Sequence, residues 1–207
     1  MDRIQNAGIR VFPETRVSGV VPHEVGLQVI LDDDRRLAPA PFVVAGLGLR
    51  PRVELATQCG LEVEDGIVVD TTFRTSDPNI YAAGDVARFP FPYVGERMRV
   101  EHEDHANQSG VMAGRAMAGE GEPYDHLPFF YSEVLGVRYE AVGRTDPGLD
   151  TLQVGDSARA VVYYREGGRV KGILLWNLPG KVGQARSVLR TASDAPPEEL
   201  ERRIPLE

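Results

Sequence analysis

The 207-residue sequence predicts an α/β fold followed by a small α+β region with an antiparallel sheet. In the first half, short apolar runs end on glycines, at Phe42–Ala45 and at Ile80–Ala83, which is typical of buried strands in open α/β sheets. A helical pattern follows at Arg99–Gly119. In the second half, apolar and polar residues alternate on both sides of Gly167-Gly168, which predicts an antiparallel hairpin.

Strand patterns separated by a polar turn fill the first 46 residues. AGIRVFPETRVSGV precedes the run LQVIL, and the charged segment Asp32–Arg36 then predicts a turn before the next strand. That next strand is Phe42–Ala45, which we expect to be buried. A short helix over Arg52–Cys59, closed by Gly60, is expected to follow.

The segment TSDPNIYAAGD, Thr75–Asp85, places a glycine and a carboxylate directly after an apolar run. Gly84 allows a ligand to lie against the backbone, because glycine has no side chain. Asp85 would lie outside the carboxyl end of a strand, where open α/β sheets bind ligands, and could accept a hydrogen bond from a ribityl hydroxyl. Taken alone, this segment also fits a plain strand and turn.

The helix predicted at Arg99–Gly119 has two distinct parts. Its body carries small residues that allow close packing, and simple packing explains them without a ligand. Its first turn presents unpaired N–H groups and the positive end of the helix dipole, which can hold negative charge. The polar residues of that turn are Glu101, His102 and Glu103. For His102 alone, a surface or capping role is the alternative.

The remaining segments predict a loop, a hairpin and two helices. FPFPYVG, Phe89–Gly95, is either a loop that covers a cofactor or an ordinary surface loop. Ala160–Tyr164 should pair with Val170–Trp176, and the apolar face of this hairpin is where we expect dimer contact. A helix at Lys181–Leu189 and one or two helical turns after Pro196-Pro197 complete the chain.

These motifs closely resemble flavin-dependent pyridine-nucleotide oxidoreductases that carry two dinucleotide-binding domains. GLGLRP resembles the crossover from the NAD domain to the FAD domain, and TSDPNIYAAGD resembles the segment that contacts FAD. VEHEDHA, FFYSEV and YEAVG further resemble the apoptosis-inducing-factor and ferredoxin-reductase branch. The resemblance implies three regions: the end of the NAD-binding domain at 1–46, the C-terminal part of the FAD-binding domain at 47–122, and an interface or dimerisation domain at 123–207.

The same resemblance implies a set of cofactor-binding residues, with neither a catalytic side chain nor a metal ion. Glu101 and His102 would face the nicotinamide side of the flavin, and His102 with Glu103 would contact the flavin. The other implied contacts are Gly84 and Asp85 on the ribityl-phosphate side, Phe130 and Tyr131 stacked near the isoalloxazine or nicotinamide, and Gly48 and Glu140 on the nicotinamide nucleotide. Members of this branch often have a second histidine at Glu103 and a tryptophan at Tyr131, so local charge and stacking differ here.

Neither of the two GxGxxG loops that this family uses to bind pyrophosphate occurs in the sequence. The chain therefore resembles the carboxyl-terminal portion of a longer reductase. Such a parent would pass a hydride from NAD(P)H to FAD and electrons to a small ferredoxin- or rubredoxin-like protein. This chain on its own would be inactive, with weak or absent FAD binding. The alternative is a cofactor-free interaction or dimerisation module.

Composition and charge disfavour several other classes of function. The formal net charge is −8, and no basic stripe is present, which disfavours nucleic-acid binding. No apolar run is long enough to cross a membrane, and no secretory signal is recognised, so we expect a cytoplasmic protein. The single cysteine, Cys59, excludes a redox-active cysteine pair within this sequence. Unpaired strand edges predict a homo-oligomer.

Overall fold

The computed structural model describes residues 2–93 and 95–207. Val94, within the predicted loop Phe89–Gly95, lies outside the described residues. The chain divides into two compact units, one ending at Arg50 and one beginning at Pro51.

The N-terminal unit contains one helix and one hairpin. Helix α1 spans Asp2–Asn6, and strands β1 (Val17–His23) and β2 (Gly26–Leu31) pair antiparallel. The predicted polar turn after β2 is confirmed, because the Leu31 N–H donates to the Arg35 carbonyl oxygen at 2.9 Å. Gly26 is required where the chain passes Ala40, since a Cβ there would lie 2.2 Å from the Ala40 carbonyl oxygen.

The predicted buried strand at Phe42–Ala45 is wrong. This run is irregular, and Phe42 and Val44 are 72% and 84% exposed. A strand is stable only where neighbouring strands satisfy its backbone groups. None of the strands in the described part of the chain pairs with this run.

The second unit begins with a short helix and a small mixed sheet. Helix α2 spans Glu54–Gln58, inside the predicted range, and Gly60 closes it with a φ of 73°. The Gly60 and Leu61 N–H groups bond back to Thr57 and Ala56, which satisfies the last carbonyls of the helix. The sheet has the order β3-β4-β5-β6, formed by Val63–Glu64, Gly66–Val68, Ala87–Pro90 and Arg97–Met98, with only β4 and β5 parallel.

Two further expectations in this region are corrected. Ile80–Ala83 is extended, but it makes only one isolated bridge, between Arg74 and Tyr81, and only Ala82 of the run is buried. Phe89 and Phe91 are core residues, 1% and 4% exposed, so the start of the predicted loop is instead part of β5 and its continuation. The Phe89 ring is covered by Phe73, His105 and Tyr124, and the Phe91 ring packs against Phe89.

Helix α3 spans Glu103–Met117 and begins later than the sequence pattern predicts. His102 occupies the N-cap position with an extended backbone, at φ −119° and ψ 130°. The buried face of α3 consists of His105, Ser109, Ala113 and Ala116. The expected small-residue face is only partly confirmed, because Gly110 and Gly114 are exposed.

The C-terminal region forms a five-stranded antiparallel sheet in the order β7-β8-β11-β10-β9. These strands are Phe129–Val134, Val137–Gly143, Arg169–Trp176, Ala160–Glu166 and Asp150–Gly155, in the order of the sheet. The predicted hairpin is confirmed as β10 and β11, with Ala160 opposite Trp176. Gly167 and Gly168 both have positive φ, at 56° and 82°, as a two-residue hairpin turn requires.

Two helices pack on this sheet. Helix α4 (Val182–Thr191) contacts β8 and β11 and buries Ala185, Val188 and Leu189, as predicted. Helix α5 (Pro197–Arg203) is held by the Tyr163 hydroxyl, which donates to the Leu200 carbonyl oxygen at 2.8 Å. None of the helices in the described ranges is long and apolar enough to span a bilayer.

Candidate functional site

A cleft of ≈ 590 Å³ separates the start of α3 from the start of β7. An adjoining cleft of ≈ 610 Å³ shares four of its lining residues. The structure thereby brings together five of the nine residues implied as cofactor contacts. These are Glu101, His102 and Glu103 from the helix side and Phe130 and Tyr131 from the strand side.

His102 forms the centre of the helix side of the cleft. Its ring centroid lies 5.0 Å from that of Phe130, with 36° between the ring planes. Burial lowers the pKa of His102, although the charges of Asp104, Asp85 and Glu101 oppose this effect. The imidazole is therefore neutral at pH 7. Its Nδ1 atom is buried without a hydrogen-bond partner among the described residues.

Gly84 and Asp85 lie in a 3-10 turn, Gly84–Val86, that precedes β5. Gly84 has a φ of 72°, and its N–H donates to Ser109 Oγ on α3 at 2.9 Å. This bond fixes the turn against the helix. Asp85 is exposed, so its carboxylate can accept hydrogen bonds from a polyol.

Arg99 connects this turn to the cleft. Its guanidinium donates to the Asp85 carbonyl oxygen at 3.1 Å and to Glu101 Oε1 at 2.8 Å, and it also binds Asp65. The positive charge of Arg99 therefore balances the negative charge of Glu101 at the mouth of the cleft. No side chain caps the first turn of α3 in the described structure, so its N–H groups can bind a ligand oxygen.

Glu140 lies on β8 directly opposite Tyr131 on β7. Its carboxylate is buried, at 5% exposure, and Oε1 accepts a hydrogen bond from Arg138 at 2.9 Å. Oε2 is buried without a partner among the described residues. Arg138 also lies over the Tyr131 ring, 5.5 Å from its centroid. Glu140 is thus linked through Arg138 to Tyr131 on the neighbouring strand.

Gly48 belongs to the N-terminal unit. It is exposed, has a φ of 85°, and a Cβ placed there would meet no heavy atom within 4 Å. Its implied contact with a nicotinamide nucleotide stays a prediction.

Sequence reasoning missed His105, which is completely buried behind the cleft. Its ring stacks on Phe89 with 4.3 Å between centroids, and Nδ1 lies 3.0 Å from the Tyr124 hydroxyl. Burial, together with the nearby His102 and His126, lowers the pKa of His105 to about 4. Helical periodicity in the sequence could have indicated this burial, because His105 lies on the same face of α3 as Ser109 and Ala113. Among the described residues, no group of three or more acidic, histidine or cysteine side chains could hold a metal ion.

Comparison with known proteins shows what this fold and site resemble. The sequence model of one family, described as pyridine nucleotide-disulphide oxidoreductase, matches residues 1–110. The monodehydroascorbate reductase of Solanum lycopersicum is 30% identical over 214 residues, covering 96% of this chain and 48% of that protein. The ferredoxin--NAD(+) reductase component of the anthranilate 1,2-dioxygenase system of Burkholderia cepacia is 33% identical, covering 83% of this chain and 43% of that protein.

Among solved structures, the covalent putidaredoxin reductase–putidaredoxin complex matches with a TM-score of 0.82 and 30% identity. The match covers 95% of this chain and 48% of that one. The chain therefore spans about half the length of the curated relatives it matches.

Proposed function

Because this chain belongs to the pyridine nucleotide-disulphide oxidoreductase family, we propose that it forms the flavin-facing part of an NAD(P)H-dependent flavoprotein reductase. The reductase would pass a hydride from NAD(P)H to FAD and electrons to a small acceptor protein. The single observation that carries the proposal is the cleft that unites Glu101, His102, Glu103, Phe130 and Tyr131.

The residues of the cleft fit the isoalloxazine end of FAD. The ring of His102 lines the cleft, and the first turn of α3, which no side chain caps in the described structure, begins directly after it. Phe130 and Tyr131 offer aromatic faces against which a flat heterocycle can stack. Gly84 supplies the positive φ of the turn that presents Asp85, and the exposed Asp85 carboxylate would accept hydrogen bonds from ribityl hydroxyls.

FAD, when bound, supplies the chemistry that connects a hydride donor with one-electron acceptors. The side chains orient and protect it. His102 and the first turn of α3 would face one edge of the ring system, where the positive end of the helix dipole would stabilise negative charge. Glu140, opposite Tyr131 in the sheet, would contact the nicotinamide nucleotide.

A domain assignment follows from the same proposal. Residues 1–46 would end the NAD-binding domain, 47–122 would complete the FAD-binding domain, and 123–207 would form the interface or dimerisation domain. The division of the chain after Arg50 lies close to the first of these boundaries. The two later regions share one hydrophobic core, which includes Phe89, Tyr124 and Val142.

Support for a protein acceptor comes from the solved complex of putidaredoxin reductase with putidaredoxin. The name of the Solanum lycopersicum relative instead indicates a small organic radical, monodehydroascorbate. The proposal commits to the ferredoxin-like acceptor, and steady-state assays of a full-length reductase with each acceptor would distinguish the two.

The site assignment can be tested on this chain with riboflavin, which carries the isoalloxazine and ribityl groups but no pyrophosphate. We expect NMR titration to shift the amide signals of Gly84, Asp85, His102, Glu103 and Tyr131. His102→Ala should weaken riboflavin binding, whereas His23→Ala, at an exposed position in the N-terminal unit, should not. Shifts confined to other residues, or equal binding by His102→Ala, would refute the assignment.

A further inference from the structure

The two walls of the cleft are joined by one carboxylate. Asp104 is the second residue of α3, and its Oδ2 atom accepts a hydrogen bond from the backbone N–H of Phe129 at 3.2 Å. Phe129 is the first residue of β7, the strand that carries Phe130 and Tyr131. The start of the helix and the start of the strand are thus held at a fixed separation by a single side chain.

Two further groups converge on the same oxygen. His126 Nε2 lies 2.5 Å from Asp104 Oδ2, and an Arg186 N–H donates to that oxygen at 3.0 Å. The same Arg186 nitrogen lies 3.1 Å from His126 Nε2. The Asp104 side chain is 18% exposed, and those of His126 and Arg186 are each 23% exposed. Burial raises the pKa of Asp104, but the bond from His126 and the charge of Arg186 outweigh it, so the pKa lies below its usual value. Asp104 is therefore ionised at neutral pH.

Arg186 extends the connection to α4. Its Nε donates to the Leu127 carbonyl oxygen at 2.8 Å, and its guanidinium lies over the Phe129 ring, 5.5 Å from the centroid. The segment Leu127–Phe129 is consequently fixed from two sides. Both walls of the cleft are bonded to Asp104. Loss of the Asp104 carboxylate should therefore loosen the start of α3 and the start of β7 together.

We infer that Asp104 is a positioning residue for the cleft: it holds the start of α3 and the start of β7 at the separation that a flavin ring requires. The inference rests on the proposed function for the identity of the ligand, but the coupling of the two walls is a property of the protein alone. Asp104 acts through His102 and Phe130, which would touch the ring.

Amide hydrogen exchange on the whole chain tests the coupling. The probes are the Phe129 N–H, bonded to Asp104, and the Ala106 N–H, bonded to the His102 carbonyl oxygen at 2.9 Å. In Asp104→Asn we expect both amides to exchange about tenfold faster, since a hydrogen bond to a charged group is lost. Amides of the buried residues Val161 and Ile173 should keep their wild-type rates.

Matched variants separate positioning from general stabilisation. Asp125→Asn removes a neighbouring, exposed carboxylate and should change neither probe. Asp104→Glu keeps the carboxylate and should restore much of the protection. If Asp104→Asn does not fold, Arg186→Lys, which keeps the charge but loses the forked contact, should accelerate the same two amides.

The affinity for riboflavin measures whether the loosened cleft still binds a flavin ring. Asp104→Asn should bind riboflavin about tenfold more weakly than the wild type, and Asp125→Asn should bind it equally well. Faster exchange at Phe129 alone would overturn the inference, and so would an equal acceleration at Val161 and Ile173. If the wild type binds no riboflavin while the two probes respond together, the proposed function fails and the coupling by Asp104 stands.

Discussion

His105 shows how strongly burial changes the chemistry of one residue. It is fully buried between Phe89 and Tyr124, and its pKa is lowered to about 4 from an ordinary value of 6.5. Between these two values the unfolded chain binds a proton that the folded chain does not. Stability therefore decreases as the pH falls from 7 towards 4.

The first prediction follows from this difference. Between pH 7 and pH 5 the free energy of unfolding should fall by about 2 kcal/mol through His105, at ~1.4 kcal/mol per pKa unit. Urea denaturation at both pH values measures this change. His105→Gln should lose the contribution of His105, with the remaining pH dependence coming from His102, whose pKa burial also lowers. His23→Gln, at an exposed histidine, should retain the full dependence. Equal pH dependence in His105→Gln and the wild type would contradict the assignment.

The contrast between His102 and His105 shows what sequence reasoning could reach. Both occur in VEHEDHA, and resemblance to a known family was enough to select His102. The role of His105 depends on Phe89 and Tyr124, which are distant in sequence. Likewise, nothing in the sequence connects Asp104 with Arg186, which is 82 residues away.

At the scale of single elements, patterns of adjacent residues predicted helices and hairpins correctly. They did not predict which strands pair with segments distant in sequence. The β10–β11 hairpin was predictable because its Gly-Gly turn and its alternation are adjacent in sequence. α4 was predictable from its own apolar face. Phe42–Ala45 has an equally strand-like composition, but a strand also needs a neighbour, and composition does not reveal whether one exists.

Helix α5 provides a second prediction. Leu200 is fully buried, and its carbonyl oxygen accepts the bond from Tyr163, so the helix is held by both packing and a hydrogen bond. Leu200→Ala should lower the free energy of unfolding by about 2–5 kcal/mol, the usual cost of such a cavity. Glu201→Ala, at the adjacent exposed position, should cost less than ~0.5 kcal/mol. Chemical denaturation followed by the fluorescence of Trp176 measures both, and equal effects would show that α5 is not docked through Leu200.

At the scale of the whole molecule, exposed apolar residues predict self-association. Phe42, Val44, Leu47 and Leu49 are each more than half exposed, which is unusual for an isolated soluble chain. Val68 on β4 is 7% exposed and does not contribute to this surface. We predict a dimer or larger species at micromolar concentration, and a Phe42→Ser/Val44→Ser variant that associates less. Light scattering that shows a monomer for the unaltered chain would contradict this prediction.

The proposed role of the cleft is to bind the isoalloxazine and ribityl end of FAD, without the pyrophosphate loops of the family. Fluorescence titration of FAD and riboflavin with the same preparation tests this role. We predict saturable, weak binding of both, with dissociation constants within about threefold of each other, because no GxGxxG loop adds affinity for the pyrophosphate. FAD binding more than about a hundredfold tighter than riboflavin binding, or no saturable binding of either, would contradict the proposed role.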